Sequence, residues 1–328
     1  MSERVTILLD AARKGDDRAL ARLISLVEDR DDSWREIMRE VYPLTGSSCV
    51  IGVTGSPGAG KSTLVGILAG HLQERGHTLG IIAVDPTSPY SGGALLGDRL
   101  RMRDISLLDG VFIRSMATRG ALGGLCQAAR DTARIMDACG RDVIVIETVG
   151  VGQDEIDVVS VSDWVILVNF PGQGDGIQAI KAGVMEIADI FVVNKADREG
   201  AREMVSTIEA MLDLAAPARA CRPPVLSTSC VTGEGVLSLA ETVCDLIRRR
   251  KAMPRTDRDR VEREVFGLME AEIMELVRRL AAHNGTFDTE VQAVLDGRTD
   301  PYRAASRLLE RLGISASGLK GGKGELHG

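Results

Sequence analysis

Between residues 46 and 250, short unbroken apolar runs alternate with longer stretches whose apolar positions recur every three or four residues. The runs lie at 50–54, 79–84, 143–146, 164–168, 190–193 and 225–226. Runs without polar alternation suit strands covered on both faces, so they predict a mostly parallel sheet with helices on each side, a doubly wound α/β domain. Ligands of such sheets sit beyond the carboxyl ends of the strands. Asp85, Glu147, Asn169 and Asn194, the polar residues that close four of the runs, fall there.

The flanks have helical rather than strand periodicity. Residues 1–45 place Leu20, Leu23, Ile24 and Val27 at helical spacing and read as a helical N-terminal extension, ended by Pro43 and Gly46. Residues 251–328 begin with a charged stretch and continue as an amphipathic helix with Val261, Val265, Leu268, Ile273, Leu276, Val277 and Leu280 on one stripe. A second helix is expected over 289–295 and a third after Asp300-Pro301, where proline suits the first turn. The pattern alone leaves open whether this stripe packs within the chain or against a partner. The Gly- and Lys-rich tail from 318 to 328 is expected to be disordered.

Composition narrows the classes. The 328 residues carry 40 Lys plus Arg against 47 Asp plus Glu, a net charge of −7, which argues against nucleic acid and anionic membranes as partners. Six widely spaced cysteines without a C-x-x-C pair, and four scattered histidines, suit reduced core thiols better than a zinc or nickel site. No leader-like or membrane-length apolar stretch is present in the sequence, so a cytoplasmic protein is expected.

The run at 50–54 is followed by Gly55-Ser56-Pro57-Gly58-Ala59-Gly60-Lys61-Ser62 and then by Thr63 and a helical pattern. A polyphosphate has to be held without bulky side chains, so a glycine-rich loop turns its backbone N–H groups inward at a helix N-terminus. Lys61 then serves the β- and γ-phosphates, and the Ser62 hydroxyl a magnesium ion. A chance match in a chain with 36 glycines is the bland alternative, but the strand before and the helix after make it remote.

Asn194-Lys195-Ala196-Asp197 closes a later run. A carboxylate at Asp197 can accept both the ring N–H and the exocyclic amine of guanine, a pair adenine does not offer, and Lys195 can lie along the base. The bland reading of Asp197, a helix N-cap, is compatible with this. Ser229, Cys230 and Val231 could offer backbone N–H groups to the base or simply form a turn. Magnesium needs oxygen ligands, for which Asp85, Asp98 and Glu147 are candidates. Glu147-Thr148-Val149-Gly150 matches the D-x-x-G element of GTPases with Glu for Asp, placing the Gly150 N–H at the γ-phosphate. Gln153 is a weaker candidate for orienting water.

With Asp85-Pro86-Thr87-Ser88, Arg119-Gly120-Ala121-Leu122-Gly123-Gly124, Glu147 to Gln153 and Asn194 to Asp197 together, the chain resembles the MeaB/ArgK family. These are G-protein chaperones of adenosylcobalamin-dependent acyl-CoA mutases, typified by methylmalonyl-CoA mutase. The resemblance implies a P-loop GTPase of the SIMIBI, G3E-type class that binds GTP or GDP with Mg2+ and gates cofactor loading into the mutase or protects and rescues it. It further implies that Lys61, Asp98 and Glu147 serve catalysis, that Ser62, Asp85, Asp98 and Glu147 hold the metal, and that Gln153, Asp175 and Lys181 belong to switches. No cobalamin site is assignable on the chain. The family's C-terminal arm is a dimerisation element, which favours the partner reading of the stripe and a homodimer. The chain departs from the family at Thr87-Ser88-Pro89-Tyr90-Ser91 and at Gln173-Gly174-Asp175-Gly176, changes that nucleotide chemistry is expected to survive. A nickel- or zinc-inserting GTPase is the runner-up, and a non-enzymatic nucleotide-stabilised adaptor the third reading. Hydrolysis by the chain alone is expected to be slow, because no obvious glutamine or arginine completes the site.

Overall fold

Among the described residues, seven strands form one parallel sheet at the centre of Met1–Arg255, one of two compact units. The structure, a computed structural model, describes residues 3–85, 105, 108–117, 124–148, 161–172, 188–215, 222–254, 258–282 and 285–311. The strands are β1 (Cys49–Gly55), β2 (Leu79–Asp85), β3 (Val111–Ala117), β4 (Val143–Thr148), β5 (Trp164–Asn169), β6 (Ile190–Val193) and β7 (Val225–Ser227). They lie in the order β3-β2-β4-β1-β5-β6-β7, which puts β1 in the middle with later strands on both sides. The doubly wound α/β fold expected from the apolar runs is the fold found.

Parallel strands need crossovers, and helices supply them on both faces. Ile51, Val53, Val145, Ile166 and Val168 face Leu64, Leu68 and Leu72 of α4 (Lys61–Glu74). The helix that ends this unit, Val236–Ala252, adds Leu239, Val243 and Ile247 to the same cluster. On the other face Ile82, Val84, Ile144 and Ile146 meet three N-terminal helices, α1 (Glu3–Arg13), α2 (Asp17–Glu28) and α3 (Trp34–Val41), and α5 (Gly124–Ala138). The stripe Leu20, Leu23, Ile24 and Val27 is what α2 buries there, and Asp16 starts that helix by accepting from the Arg18 and Ala19 N–H groups at 2.8 and 3.2 Å. A further cluster joins Leu167, Phe191 and Val193 to α6 (Ala201–Ala215). The helix Val236–Ala252 is α7.

Strand β3 carries no unbroken apolar run, because Arg114 and Ser115 interrupt Val111-Phe112-Ile113. An edge strand tolerates this when the charge finds a partner. Arg114 reaches α2, donating to Glu28 and, at 3.2 Å, to the Ser25 hydroxyl. Asp137 of α5 similarly ties the chain ahead of β1, accepting from the Gly46 N–H at 2.5 Å and from the Ser48 N–H and hydroxyl at 3.0 and 2.8 Å.

Asp131 of α5 is 2 % exposed, accepts from Gln127 Nε2 at 2.8 Å and pairs with Arg30 at 3.5 Å. Burial outweighs the Arg30 charge and pushes its carboxyl up to about 6 from 3.8. Folding therefore favours the protonated acid. That contribution is complete below the unfolded value and is lost as the pH rises through about 6. Asp131→Asn, which retains an acceptor for Gln127, is expected to stabilise the protein by about 1–2 kcal/mol near neutral pH and not below about pH 4. Urea unfolding at the two pH values checks this.

The second unit, Thr256–Gly328, contains α8 (Arg258–Ala282), α9 (Thr286–Leu295) and α10 (Pro301–Arg311). Glu290 of α9 accepts from Arg307 of α10 at 3.1 and 2.8 Å. On α8, Val265, Leu268, Ile273 and Leu276 of the expected stripe are exposed, as are Phe266 and Met269 beside them.

Candidate nucleotide site

The carboxyl end of β1 runs into the glycine-rich loop, and each glycine there has a steric reason. Gly55 has φ of +134°, and a Cβ on it would lie 2.0 Å from the carbonyl oxygen of Val168 on β5. Gly60, at φ +86°, would meet Asn194 Nδ2 at 2.7 Å, and Gly58 has φ of +75°. Only glycine combines those left-handed conformations with so close an approach. Gly60 precedes the first residue of α4, so the loop opens onto a helix N-terminus. Lys61 is buried and curls back, donating from Nζ to the carbonyls of Gly55 at 2.7 Å and Ser56 at 3.1 Å. The ammonium is thus held at the mouth of the loop, where phosphate oxygens can compete for it with two carbonyls.

Ser62, on the first turn of α4, donates to Glu147 Oε1 at 2.5 Å. Glu147 is 2 % exposed on β4, opposite Val53 in register. The pair consists of hard oxygen donors on adjacent elements, which suits magnesium better than a thiolate-seeking ion. Asp85 ends β2 at the same edge of the sheet, paired in register with Ala117. Among the described residues, no group of three or more His, Cys, Asp or Glu could hold a metal ion. Asp98, Gly150, Gln153, Asp175 and Lys181, and the side chain of Asp85, lie outside the described part of the structure.

The loop after β6 completes the rim. Asn194 is 1 % exposed and donates from Nδ2 to the Ala59 carbonyl at 2.7 Å, while its Oδ1 accepts from Thr228 Oγ1 at 3.1 Å and Cys230 Sγ at 3.4 Å. It stitches the glycine-rich loop to the segment after β7. Lys195 donates to the Gly58 carbonyl at 2.6 Å, and its ammonium lies 4.2 Å from the centre of the Phe170 ring. Asp197 is exposed and accepts from Ser229 Oγ at 2.6 Å. That bond, followed by one from its own backbone, holds its carboxyl below the usual range, so it is ionised and oriented at neutral pH. Helix α6 begins at Ala201, so Asp197 is not its N-cap. Residues 229–233 do form a turn, with the Gly233 N–H donating to the Ser229 carbonyl at 2.8 Å, and the same turn presents the hydroxyl that orients Asp197. Burial pushes the Cys230 thiol up, keeping it a neutral donor to Asn194.

The structure therefore brings residues 55–63, Glu147, Asn194, Lys195, Asp197, Ser229 and Cys230 to one edge of the sheet. Sequence reading gave Phe170 no role of its own. Its signal was an aromatic directly after the polar residue that closes an apolar run, in a chain with five phenylalanines.

Fold and rim together define a P-loop GTPase, and relatives carry that class to a family. A protein of Pyrococcus abyssi, named only as a GTPase, is 45% identical over 315 residues, covering 93% of this chain and 96% of its own. The GTPase ArgK of Escherichia coli is 35% identical over 286 residues, covering 84% of this chain and 86% of its own. The crystal structure of a LAO/AO transport system kinase superposes with a TM-score of 0.71 at 26% identity, covering 96% of this chain and 99% of that one. Residues 20–284 match the family described as methylmalonyl Co-A mutase-associated GTPase MeaB. The chain belongs to the MeaB family and hydrolyses GTP.

Proposed function

We propose that this GTPase is a nucleotide-switched chaperone of an adenosylcobalamin-dependent acyl-CoA mutase of the methylmalonyl-CoA mutase type, gating cofactor loading and protecting or reactivating the enzyme. The observation that carries the proposal is the family match over residues 20–284, whose description names association with that mutase. The joined rim supports it, because a switch needs one site that senses phosphate and base at once.

In this reading Asp197 accepts from guanine, with Asn194 and Lys195 fixing its loop and the backbone of Ser229, Cys230 and Val231 closing around the base. The N–H groups of residues 55–63 cradle the α- and β-phosphates, and Lys61 moves from the Gly55 and Ser56 carbonyls to the β- and γ-phosphate oxygens. Ser62 and Glu147, with Asp85 and Asp98, would hold Mg2+, which when bound neutralises charge on the transferring phosphoryl group. The Gly150 N–H would meet the γ-phosphate, and Gln153, Asp175 and Lys181 would report its loss. The exposed apolar residues of α8 support a homodimer or a partner surface. No helix among the described residues is long and apolar enough to cross a membrane, which accords with a cytoplasmic site of action.

The purified protein, mixed with a cobalamin-dependent methylmalonyl-CoA mutase, is expected to form a complex in the presence of a non-hydrolysable GTP analogue. Its GTP turnover should rise well above twofold, since partner-supplied groups raise slow intrinsic rates by orders of magnitude. No complex and less than about a twofold rise would count against the mutase reading while leaving the GTPase intact.

A further inference from the structure

Phe170 follows the last residue of β5 and begins the segment Phe170-Pro171-Gly172, which lies beside the loop after β6, Phe170 also packing against the apolar core on the α4 face of the sheet. The Asn194 N–H donates to the Asn169 carbonyl at 2.7 Å. The Lys195 ammonium lies 4.2 Å from the Phe170 ring centre. Pro171 lies over Gly200, with its Cβ 3.6 Å from where a Cβ on that glycine would be. Asn169 at the end of β5 and the next two residues thus meet three points of the loop after β6.

Lys195 is the one strained link in this set. It adopts φ of +59°, and among the described residues Arg30 is the other non-glycine with positive φ. A left-handed conformation is strained for an L-residue, so surrounding contacts must hold it. Two contacts do so here: the Gly58 carbonyl accepts from the ammonium at 2.6 Å, and the negative face of the Phe170 ring attracts the same charge. A leucine would fill similar space but offer no such face.

We propose that Phe170 is a positioning residue for guanine recognition: its ring holds Lys195 extended between the glycine-rich loop and the base. Phe170 acts on the base through Lys195 rather than by contact with the nucleotide. The inference rests on reading 194–197 as the guanine loop and is independent of the partner mutase.

The test is a titration of the full-length protein with fluorescently labelled GDP, with GTP in competition, and a double-mutant cycle. Phe170→Leu is expected to weaken both nucleotides about three- to fivefold, the range a partly exposed cation–π contact supplies. Phe170→Tyr, which keeps the ring face, is expected to bind within about 1.5-fold of the parent. In a Lys195→Met background Phe170→Leu should have no further effect, because the contact it removes is already gone. Phe170→Met serves as a second apolar variant should the leucine protein fold poorly. Parent-like affinity in Phe170→Leu, failure of Phe170→Tyr to restore binding, or effects of the two sites that simply multiply would each overturn the proposal. Parent-like affinity in Lys195→Met would overturn it together with the guanine-loop reading.

Discussion

Asp197→Asn is expected to turn the base preference of the protein from guanine to xanthine. The carboxylate, oriented by Ser229 Oγ at 2.6 Å, can accept from both the ring N–H and the exocyclic amine of guanine. An asparagine there retains one acceptor, which keeps the Ser229 bond and meets the ring N–H, but turns an N–H donor toward the amine. Xanthine has a carbonyl at that position and accepts this donor. The variant loses one of two charge-assisted hydrogen bonds to guanine and sets a donor against a donor in its place, so GTP affinity should fall by about 100-fold or more. XTP should gain a comparable amount relative to the parent, and ATP should change little. Competition of the three nucleotides against labelled GDP measures this. A variant binding GTP within about threefold of the parent would remove Asp197 from the base site.

Lys61→Ala is expected to lower kcat/KM for GTP by about 100- to 1000-fold, the scale found when one donor to a developing oxyanion is removed. The structure gives this substitution a second consequence. With the ammonium gone, the carbonyls of Gly55 and Ser56 still face the mouth of the loop and would repel the phosphates that Lys61 otherwise attracts. Binding of GTP should therefore fall along with turnover, and Lys61→Arg, which restores charge with a larger planar head, should recover affinity better than rate. Binding by calorimetry and single-turnover hydrolysis separate the two. Turnover within tenfold of the parent would mean that the loop does not hold the γ-phosphate.

Much of this architecture was legible because its causes are local or repeat along the chain. Runs such as Val143-Ile144-Val145-Ile146 announce strands buried on both faces, since they are short, wholly apolar and made of β-branched residues. The glycine-rich loop and Asn194 to Asp197 are equally visible, because each is a short motif that fixes residue type and spacing, the glycines by the left-handed backbone they allow. Strand β3 was not legible: Arg114 breaks its pattern and is accommodated only because Glu28, far away in sequence, lies beside it. Phe170 escaped for the same reason, its partner being a lysine on the next strand's loop.

By itself the sequence determined the parallel sheet, the phosphate loop, the Asn194 to Asp197 element and the family they point to. Each depends on backbone sterics, hydrophobic period or a donor–acceptor pattern within a few residues. Only the tertiary structure decided that Asn194 fastens the phosphate loop through the Ala59 carbonyl, that Ser229 orients Asp197, and that Lys195 is held by Phe170. Those are contacts between the ends of different strands. The order β1-β5-β6-β7 sets them, and that order follows from packing the whole sheet between its helices rather than from any segment alone.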